Sequence, residues 1–168
     1  MKAIEISESS TGAEHLIGLL NSNEDDYGLY NGKMGICIAL FAAHRISGDT
    51  KYISSAHELL DEISNNVHNV KELGLGAGLA GVGWGIEWVI QNGFLDEDSN
   101  EILSDLDDEL YRDVIFSRSQ NISVYNGALG KAIYFYKRLK SKDLQNHRFR
   151  RISIIESIVL LTDEISEA

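Results

Sequence analysis

The chain has 168 residues, a formal net charge of −11, no proline and a single cysteine. This length is enough for one domain with a hydrophobic core, while the negative charge argues against binding to nucleic acid, whose phosphates require a basic surface. No apolar stretch reaches the ~18 residues of a membrane span, and the first residues lack the apolar region of a signal peptide. Since a lone cysteine also fits a reducing compartment, we expect a cytoplasmic protein with no membrane span and no nucleic-acid partner.

The absence of proline favours helices, because proline is excluded from helix interiors. The first predicted element is a helix over about residues 11–21, TGAEHLIGLLN, which Ser10 or Thr11 can cap. The elements that follow are predicted from a repeat.

Three segments share a Gly-x-x-Gly pattern followed by an apolar run. They are GLYNGKMGICIALFAAHRI from Gly28, GLGAGLAGVGWGIEWVI from Gly74 and SVYNGALGKAIYFYKRL from Ser123. Internal repeats of this length indicate stacked supersecondary units. Alignment on the pattern, at spacings of 46 and 49 residues, matches Gly32 and Gly35 with Gly78 and Gly81 and with Gly127 and Gly130.

Each repeat predicts a helical hairpin. The helix after the glycines is apolar on most faces, so we expect it to be a buried inner helix. A turn and an amphipathic outer helix follow, with apolar residues spaced three and four apart. The hairpins cover about residues 28–68, 74–117 and 123–166, and we expect one all-α domain over residues 1–168. The predicted apolar stripes of the outer helices are Ile53, Ala56, Leu59, Leu60, Ile63 and Val67, then Ile102, Leu103, Leu106, Leu110 and Val114, then Ile155, Ile158, Val159, Thr162 and Ile165.

The glycines need an explanation, because glycine destabilises a helix by about 0.5–1 kcal/mol relative to alanine. Without a Cβ atom, neighbouring backbones can approach closely, and positive φ values become accessible. The N–H groups at the helix N-termini can also hold polar or anionic groups. Two interpretations follow: close packing of the loops alone, or a ligand-binding end of the stack.

Aromatic and amide residues precede two of the glycine pairs. Tyr30 and Asn31 precede Gly32, and Tyr125 and Asn126 precede Gly127. Asparagine before glycine is typical of a cap or a turn, and the alternative is contact with a substrate.

The second inner helix carries Trp84 and Trp88 one turn apart, with Glu87 between them. The tryptophans either pack in the core or form an aromatic wall of a central cavity. A glutamate in so apolar a run must face solvent, a cavity or a partner.

Two oppositely charged segments follow one another. Residues 96–113 hold nine acids and one base, and residues 137–151 hold seven bases and one acid. Either they are solvated helix faces that pair with each other, or they form a docking surface for a charged peptide.

The segments YGLYNGKMGICIALF, GLGAGLAGVGWGIEWVI and SVYNGALGKAIYFYKRL resemble the lanthionine synthetase C-like (LanC-like) family over about residues 27–139. The resemblance implies an α/α toroid, in which seven hairpins form a ring of inner helices surrounded by outer ones. It also implies a zinc ion held by two cysteines and one histidine of later repeats. Cyclases of the family add a cysteine thiolate to a dehydrated serine or threonine and so make thioether rings in peptide natural products, with zinc lowering the pKa of the thiol.

The chain departs from this family pattern in two ways. It holds three hairpins, so we expect a partial toroid without the repeats that carry zinc, and a zinc cofactor only where those repeats are present. Ser123 stands where active cyclases carry an aspartate, and a hydroxyl supplies neither the charge nor the basicity of a carboxylate.

We expect no catalytic residue and no metal ligand in this chain. Cys37 and His44 share a helix face but lie about 10 Å apart along it, too far for one zinc ion. We expect Cys37 to be a core residue and most of the histidines to be surface residues; these are His15, His44, His57, His68 and His147.

Three functions are compatible with these observations. The first is that of a LanC-like protein related to the thioether cyclases of lantibiotic biosynthesis. The second is a non-catalytic interaction module, because three hairpins of a ring leave open apolar faces that a partner chain or a second copy would cover. The third is a glycan-processing toroid, for which Glu87 is the best acid or base candidate on an inner helix. Candidate contacts to a peptide or cavity are Tyr30, Asn31, Trp84, Glu87, Trp88, Ser123, Tyr125 and Asn126.

Overall fold

The computed structural model describes residues 18, 26–30, 32–117, 120–142 and 144–168. Over these residues the secondary structure is helical and contains no strand, so the predicted all-α fold class is confirmed. Gly18 is helical. The rest of the helix predicted at about residues 11–21, together with Asn31 and His15, lies outside the described residues.

The helices pair as consecutive hairpins. The first hairpin is formed by α1 (Lys33–Ser47) and α2 (Thr50–Asn66). The second consists of α3 (Leu79–Gln91), the short α4 (Ser99–Ile102) and α5 (Ser104–Phe116). The third is formed by α6 (Ala128–Arg138) and α7 (Arg148–Glu167). Single 3₁₀ turns lie at Val67–Asn69 and Leu144–Asn146.

The inner helices α1, α3 and α6 lie side by side in chain order. Helix α3 packs against both α1 and α6, and α5 packs against α7 on the outer side. Each inner helix begins directly after the first glycine of its pair, and that glycine is the N-cap in extended conformation. The glycine pairs therefore all lie at the N-terminal ends of the inner helices.

Two hydrophobic clusters fill the space between these helices. The first joins α1, α2 and α3 around Phe41 and Leu40, which have no exposed surface. The second joins α3, α5, α6 and α7 around Tyr134 and Phe135. Because α3 contributes to both clusters, it connects the first hairpin to the third.

The second outer helix is interrupted. The predicted stripe from Ile102 to Val114 implied one continuous helix, but Leu103 has φ −93° and ψ 10° and separates α4 from α5. The buried side chains of Ser99 and Asn100, on α4, bond to Arg138 of α6. These contacts hold α4 against the third hairpin.

The stripe predicted for the third outer helix was wrong in three of its five positions. Ile158 and Ile165 are partly buried against the second cluster, whereas Thr162 is exposed. Helix α7 buries Ile154, Ser157 and Leu161, while Ile155 and Val159 of the predicted stripe are exposed. Helix α7 is apolar on two faces, and both faces satisfy a spacing of three and four residues.

Candidate functional site

The three segments that precede the inner helices form one continuous layer, which we call the glycine loops. Loop one is residues 26–30 and 32, loop two is residues 72–78 and loop three is residues 121–127. The amides of Leu29 and Tyr30 donate to Gly76 O at 2.8 and 2.9 Å, and the amide of Gly76 donates to Tyr125 O at 2.7 Å. Main-chain hydrogen bonds thus join loop one to loop two and loop two to loop three.

Each loop also folds back onto its own helix. The amide of the first helical residue donates to the carbonyl seven residues earlier, which satisfies one of the donors that a helix N-terminus leaves open. The three bonds run from Lys33 N to Asp26 O at 2.8 Å, from Leu79 N to Glu72 O at 2.9 Å and from Ala128 N to Asn121 O at 2.9 Å. Because these three amides already donate to loop carbonyls, they are not free to bind an anion.

The fold-back leaves no room for side chains at the Gly-x-x-Gly positions. A Cβ atom on Gly35, Gly81 or Gly130 would lie 2.3, 2.1 or 2.2 Å from the carbonyl oxygen six residues earlier. A Cβ atom on the first glycines, Gly32, Gly78 and Gly127, would lie 2.2–2.5 Å from loop backbone atoms. Their φ values are −96°, −111° and −113°, so positive φ is not the reason for glycine there.

Further glycines allow the loops to approach each other. A Cβ atom on Gly28 would lie 2.4 Å from Ala77 Cα, and one on Gly74 would lie 2.5 Å from Asn126 Cα. Loop three has Ser123 at the equivalent position, and its side chain is exposed. Loop one therefore packs closely on loop two, and loop two on loop three, through a glycine, whereas loop three carries an exposed serine at this position.

Two tyrosines mark the exposed side of this layer. Tyr30 and Tyr125 are about half exposed, and their ring centroids lie 5.8 Å apart in an edge-to-face arrangement. A Cβ atom on Gly76 would lie 2.3 Å from the Tyr125 ring, so that ring rests directly on the backbone of loop two. Loops one and three, which are distant in sequence, thus present one aromatic pair to solvent.

Polar groups of loop three adjoin the aromatic pair. Ser123 Oγ donates to Asn126 Oδ1 at 2.9 Å, and Asn121 Nδ2 donates to the same oxygen at 2.6 Å. The Ser123 amide donates to Asn121 Oδ1 at 2.9 Å. Because Ser123 and Asn126 are both exposed, this network is available to a ligand that also contacts Tyr125.

The candidates on α3 lie apart from the tyrosine pair. Trp84 and Trp88 are both half-buried and pack in different clusters. Trp88 stacks on Phe94 with centroids 5.8 Å apart, and Lys137 Nζ lies 5.4 Å from the Trp84 ring centroid. Glu87 has no exposed surface, so it does not line an open cavity here.

Glu87 belongs to a buried ionic cluster centred on Arg138 of α6. Arg138 Nη1 donates to Glu87 Oε2 at 2.6 Å, and Arg138 Nη2 donates to Asp107 Oδ2 at 2.8 Å. Tyr134 OH donates to Asp107 Oδ1 at 2.5 Å, and Gln91 Nε2 donates to Glu87 Oε1 at 2.6 Å. Arg138 thus pairs with both carboxylates, and Arg150 Nε, 3.6 Å from Asp107 Oδ2, adds a second positive charge. Two cations therefore face two buried carboxylates, as burial requires.

The cluster also determines how its members titrate. Burial by itself lowers the pKa of Arg138, but the hydrogen bonds and charge of Asp107, with the charge of Glu87, outweigh it and raise that pKa. Burial, followed by the Asp107 charge, raises the pKa of the Tyr134 phenol well above its usual range. Arg138 therefore stays charged and Tyr134 stays protonated near neutral pH.

The acidic segment 96–113 and the basic segment 137–151 pair with each other, which agrees with the first of the two interpretations given above. Besides Arg138 and Asp107, Arg150 Nη1 contacts Asp108 Oδ1 at 2.5 Å, and His147 Nε2 lies 3.1 Å from Asp98 Oδ2. The sequence did not indicate that part of this pairing is buried.

The residues present do not fit a zinc centre. Cys37 has no exposed surface, its Sγ donates to Ala56 O at 3.4 Å, and burial raises the pKa of its thiol to about 12. His44 Nδ1 is hydrogen-bonded to Asp49 O at 2.9 Å. In the described part of the chain, His, Cys, Asp and Glu side chains form no group of three or more that could hold a metal ion.

Among the helices that the structure describes, none combines the length and apolarity needed to cross a bilayer. The sequence model of a family described as lanthionine synthetase C-like protein matches residues 23–164. No curated protein and no solved structure matches the chain.

Proposed function

We propose, from the premise that this chain belongs to the lanthionine synthetase C-like family, that it binds peptides in the biosynthesis of thioether-bridged peptide natural products. The proposed binding surface is the exposed side of the glycine loops around Tyr30 and Tyr125. The observation that carries the proposal is that loops one and three place these two half-exposed rings 5.8 Å apart.

The chemistry of this surface suits an extended peptide. Half-exposed tyrosine rings offer apolar area at low conformational cost, which is why tyrosine is frequent at binding sites. The Asn126 amide and the Ser123 hydroxyl can exchange hydrogen bonds with peptide groups. Because the main chain and packed glycines fix the loops, the surface is preorganised.

We propose that this chain does not form thioethers by itself. The donor set for zinc is absent among the described residues, and Cys37 stays a protonated thiol in the core. Ser123 cannot act as the base that a carboxylate at its position would be. Zinc-dependent chemistry would then depend on a partner chain or further repeats that complete the toroid. The buried thiol of Cys37 also supports a cytoplasmic location.

Fluorescence anisotropy tests peptide binding. The probe is a fluorescein-labelled linear peptide that contains one cysteine and two dehydroalanines. The double substitution Tyr30→Ala and Tyr125→Ala is expected to weaken binding at least about tenfold, because it removes the central aromatic contacts. Tyr136→Ala is the matched control, since Tyr136 is an exposed tyrosine at the other end of α6 and should leave binding unchanged. Equal effects of the two changes would contradict the proposed surface.

The absence of autonomous chemistry is tested separately. We expect elemental analysis to find much less than one zinc per chain, and we expect the probe to keep its thiol, measured by alkylation and mass spectrometry. One zinc per chain together with loss of the free thiol would show that the chain is a cyclase on its own.

A further inference from the structure

Helix α7 carries a second, exposed face whose composition changes along its length. In ideal helical geometry, the residues on this face lie within about 60° of one direction. They begin with Arg148 and Arg151, continue with Ile152, Ile155 and Val159, and end with Thr162, Asp163 and Ser166; all eight are exposed. We call this set the outer face of α7. It is basic at its start, apolar in its middle and acidic at its end.

The charged side chains at the two ends of this face have no partner among the described residues of the same chain. The side chains of Arg148, Arg151 and Asp163 make no hydrogen bond or ion pair among the described residues, whereas the Arg150 side chain contacts Asp107 and Asp108. The middle of the face exposes about half of the Ile152 and Val159 side chains. Adjacent exposed aliphatic residues with polar residues around them are typical of an interaction surface.

We propose that two copies of this chain associate through the outer faces of α7, packed antiparallel about a twofold axis. The axis passes beside Ile155. Ile152 of each copy then contacts Val159 of the other, and Arg148 contacts Asp163 of the other. A parallel arrangement would bring like charges together, and only the antiparallel one satisfies both ends at once.

The area buried between the two α7 helices, which we call the seam, limits the affinity of the dimer. A helix of 20 residues is about 30 Å long, and a seam of one helix on another buries less than the ~800 Å² per partner of a standard interface. The dimer is therefore reversible and depends on concentration. This association is independent of peptide binding, because it involves neither the glycine loops nor Tyr30 and Tyr125.

Charge reversal tests the arrangement in the full chain. Sedimentation velocity over a concentration series should show the unmodified chain passing from 18.7 kDa to twice that mass. Arg148→Glu alone and Asp163→Arg alone should each raise the dissociation constant at least about tenfold, because each places like charges opposite one another twice. The two variants mixed in equal amounts should form a heterodimer with the original affinity, because both facing pairs are then opposite.

The controls carry the same charge changes on another surface. Lys51→Glu and Asp61→Arg lie on exposed positions of α2 and should leave the dissociation constant unchanged. Val159→Glu should abolish association while the far-ultraviolet circular dichroism stays unchanged, since Val159 is exposed. A chain that is monomeric at every concentration would overturn the proposal, as would a mixture of the two variants that fails to associate.

Discussion

The inner helices contact each other at two sites, the glycine loops and the Arg138 cluster, and the two sites use different chemistry. We call these sites the main-chain joint and the ionic joint. At the glycine loops, main-chain amides and carbonyls of successive repeats bond to each other, and side chains are excluded. At the Arg138 cluster, side chains of α3, α4, α5 and α6 meet, and three of them are charged: Glu87, Asp107 and Arg138. In the described part of the chain, the main-chain contact between glycine loops is made twice, whereas the ionic cluster occurs once.

This difference explains what each joint contributes. A main-chain joint depends on the absence of Cβ atoms, so any repeat with the same glycines can form it. A buried ionic joint depends on particular partners, and a charge left without its partner costs several kcal/mol. The loops therefore set the repeat geometry, and the cluster fixes the second hairpin against the third.

The largest effect should come from breaking the ionic joint. Arg138→Met leaves the buried Glu87 carboxylate without a cation and leaves Asp107 with only the longer contact to Arg150 Nε at 3.6 Å. It is expected to lower the free energy of unfolding by about 3–5 kcal/mol, measured by urea denaturation. Arg112→Met removes an exposed pair with Glu109 and should cost less than about 1 kcal/mol. Similar losses for both variants would mean that the cluster is no stronger than a surface ion pair.

A smaller effect should come from the main-chain joint. In an isolated helix, glycine to alanine stabilises by about 0.5–1 kcal/mol, but at Gly81 the new Cβ would lie 2.1 Å from Leu75 O. We expect Gly81→Ala to lower the free energy of unfolding by about 1–3 kcal/mol, as overpacking does. Gly18→Ala is the matched control, because Gly18 is helical with no atom within 4 Å of its Cβ position, and it should cause no loss.

The smallest effect concerns Asp98, at the edge of the ionic region. Burial raises the pKa of Asp98, but hydrogen bonds from Asn100, together with the charge and hydrogen bond of His147, lower it by more. The net pKa is therefore below its usual value. Its charge therefore stabilises the fold above about pH 4, and this contribution is lost as the pH falls through the lowered pKa.

Asp98→Asn isolates that charge, because asparagine also caps a helix. At pH 6 the variant should be less stable than the unmodified chain by less than about 1 kcal/mol, and the difference should vanish near pH 2, measured by urea denaturation. A difference that stays constant across this range would show that the charge plays no part.

The sequence predicts a structural feature correctly where the residues that cause it are close together in the chain. The glycine pairs at Gly32, Gly78 and Gly127 predict where inner helices begin, because the steric requirement lies within a few residues of each pair. The Arg138 cluster was missed because its partners come from separate elements, and no local pattern connects Glu87 with Asp107. The burial of α7 was predicted partly on the wrong face because Ile154 and Ile155 both belong to regular apolar rows.

The main-chain bonds between loops have a consequence for how such a chain can change length. Tyr30, Gly76 and Tyr125 occupy equivalent positions, and each is bonded to the next, although the intervals between them are 46 and 49 residues. The additional three residues leave the loop geometry unchanged, so the segments outside the loops absorb them. Insertions and deletions in the outer helices can therefore accumulate during evolution without altering how successive repeats stack, while a single inserted residue inside a loop would disrupt the joint.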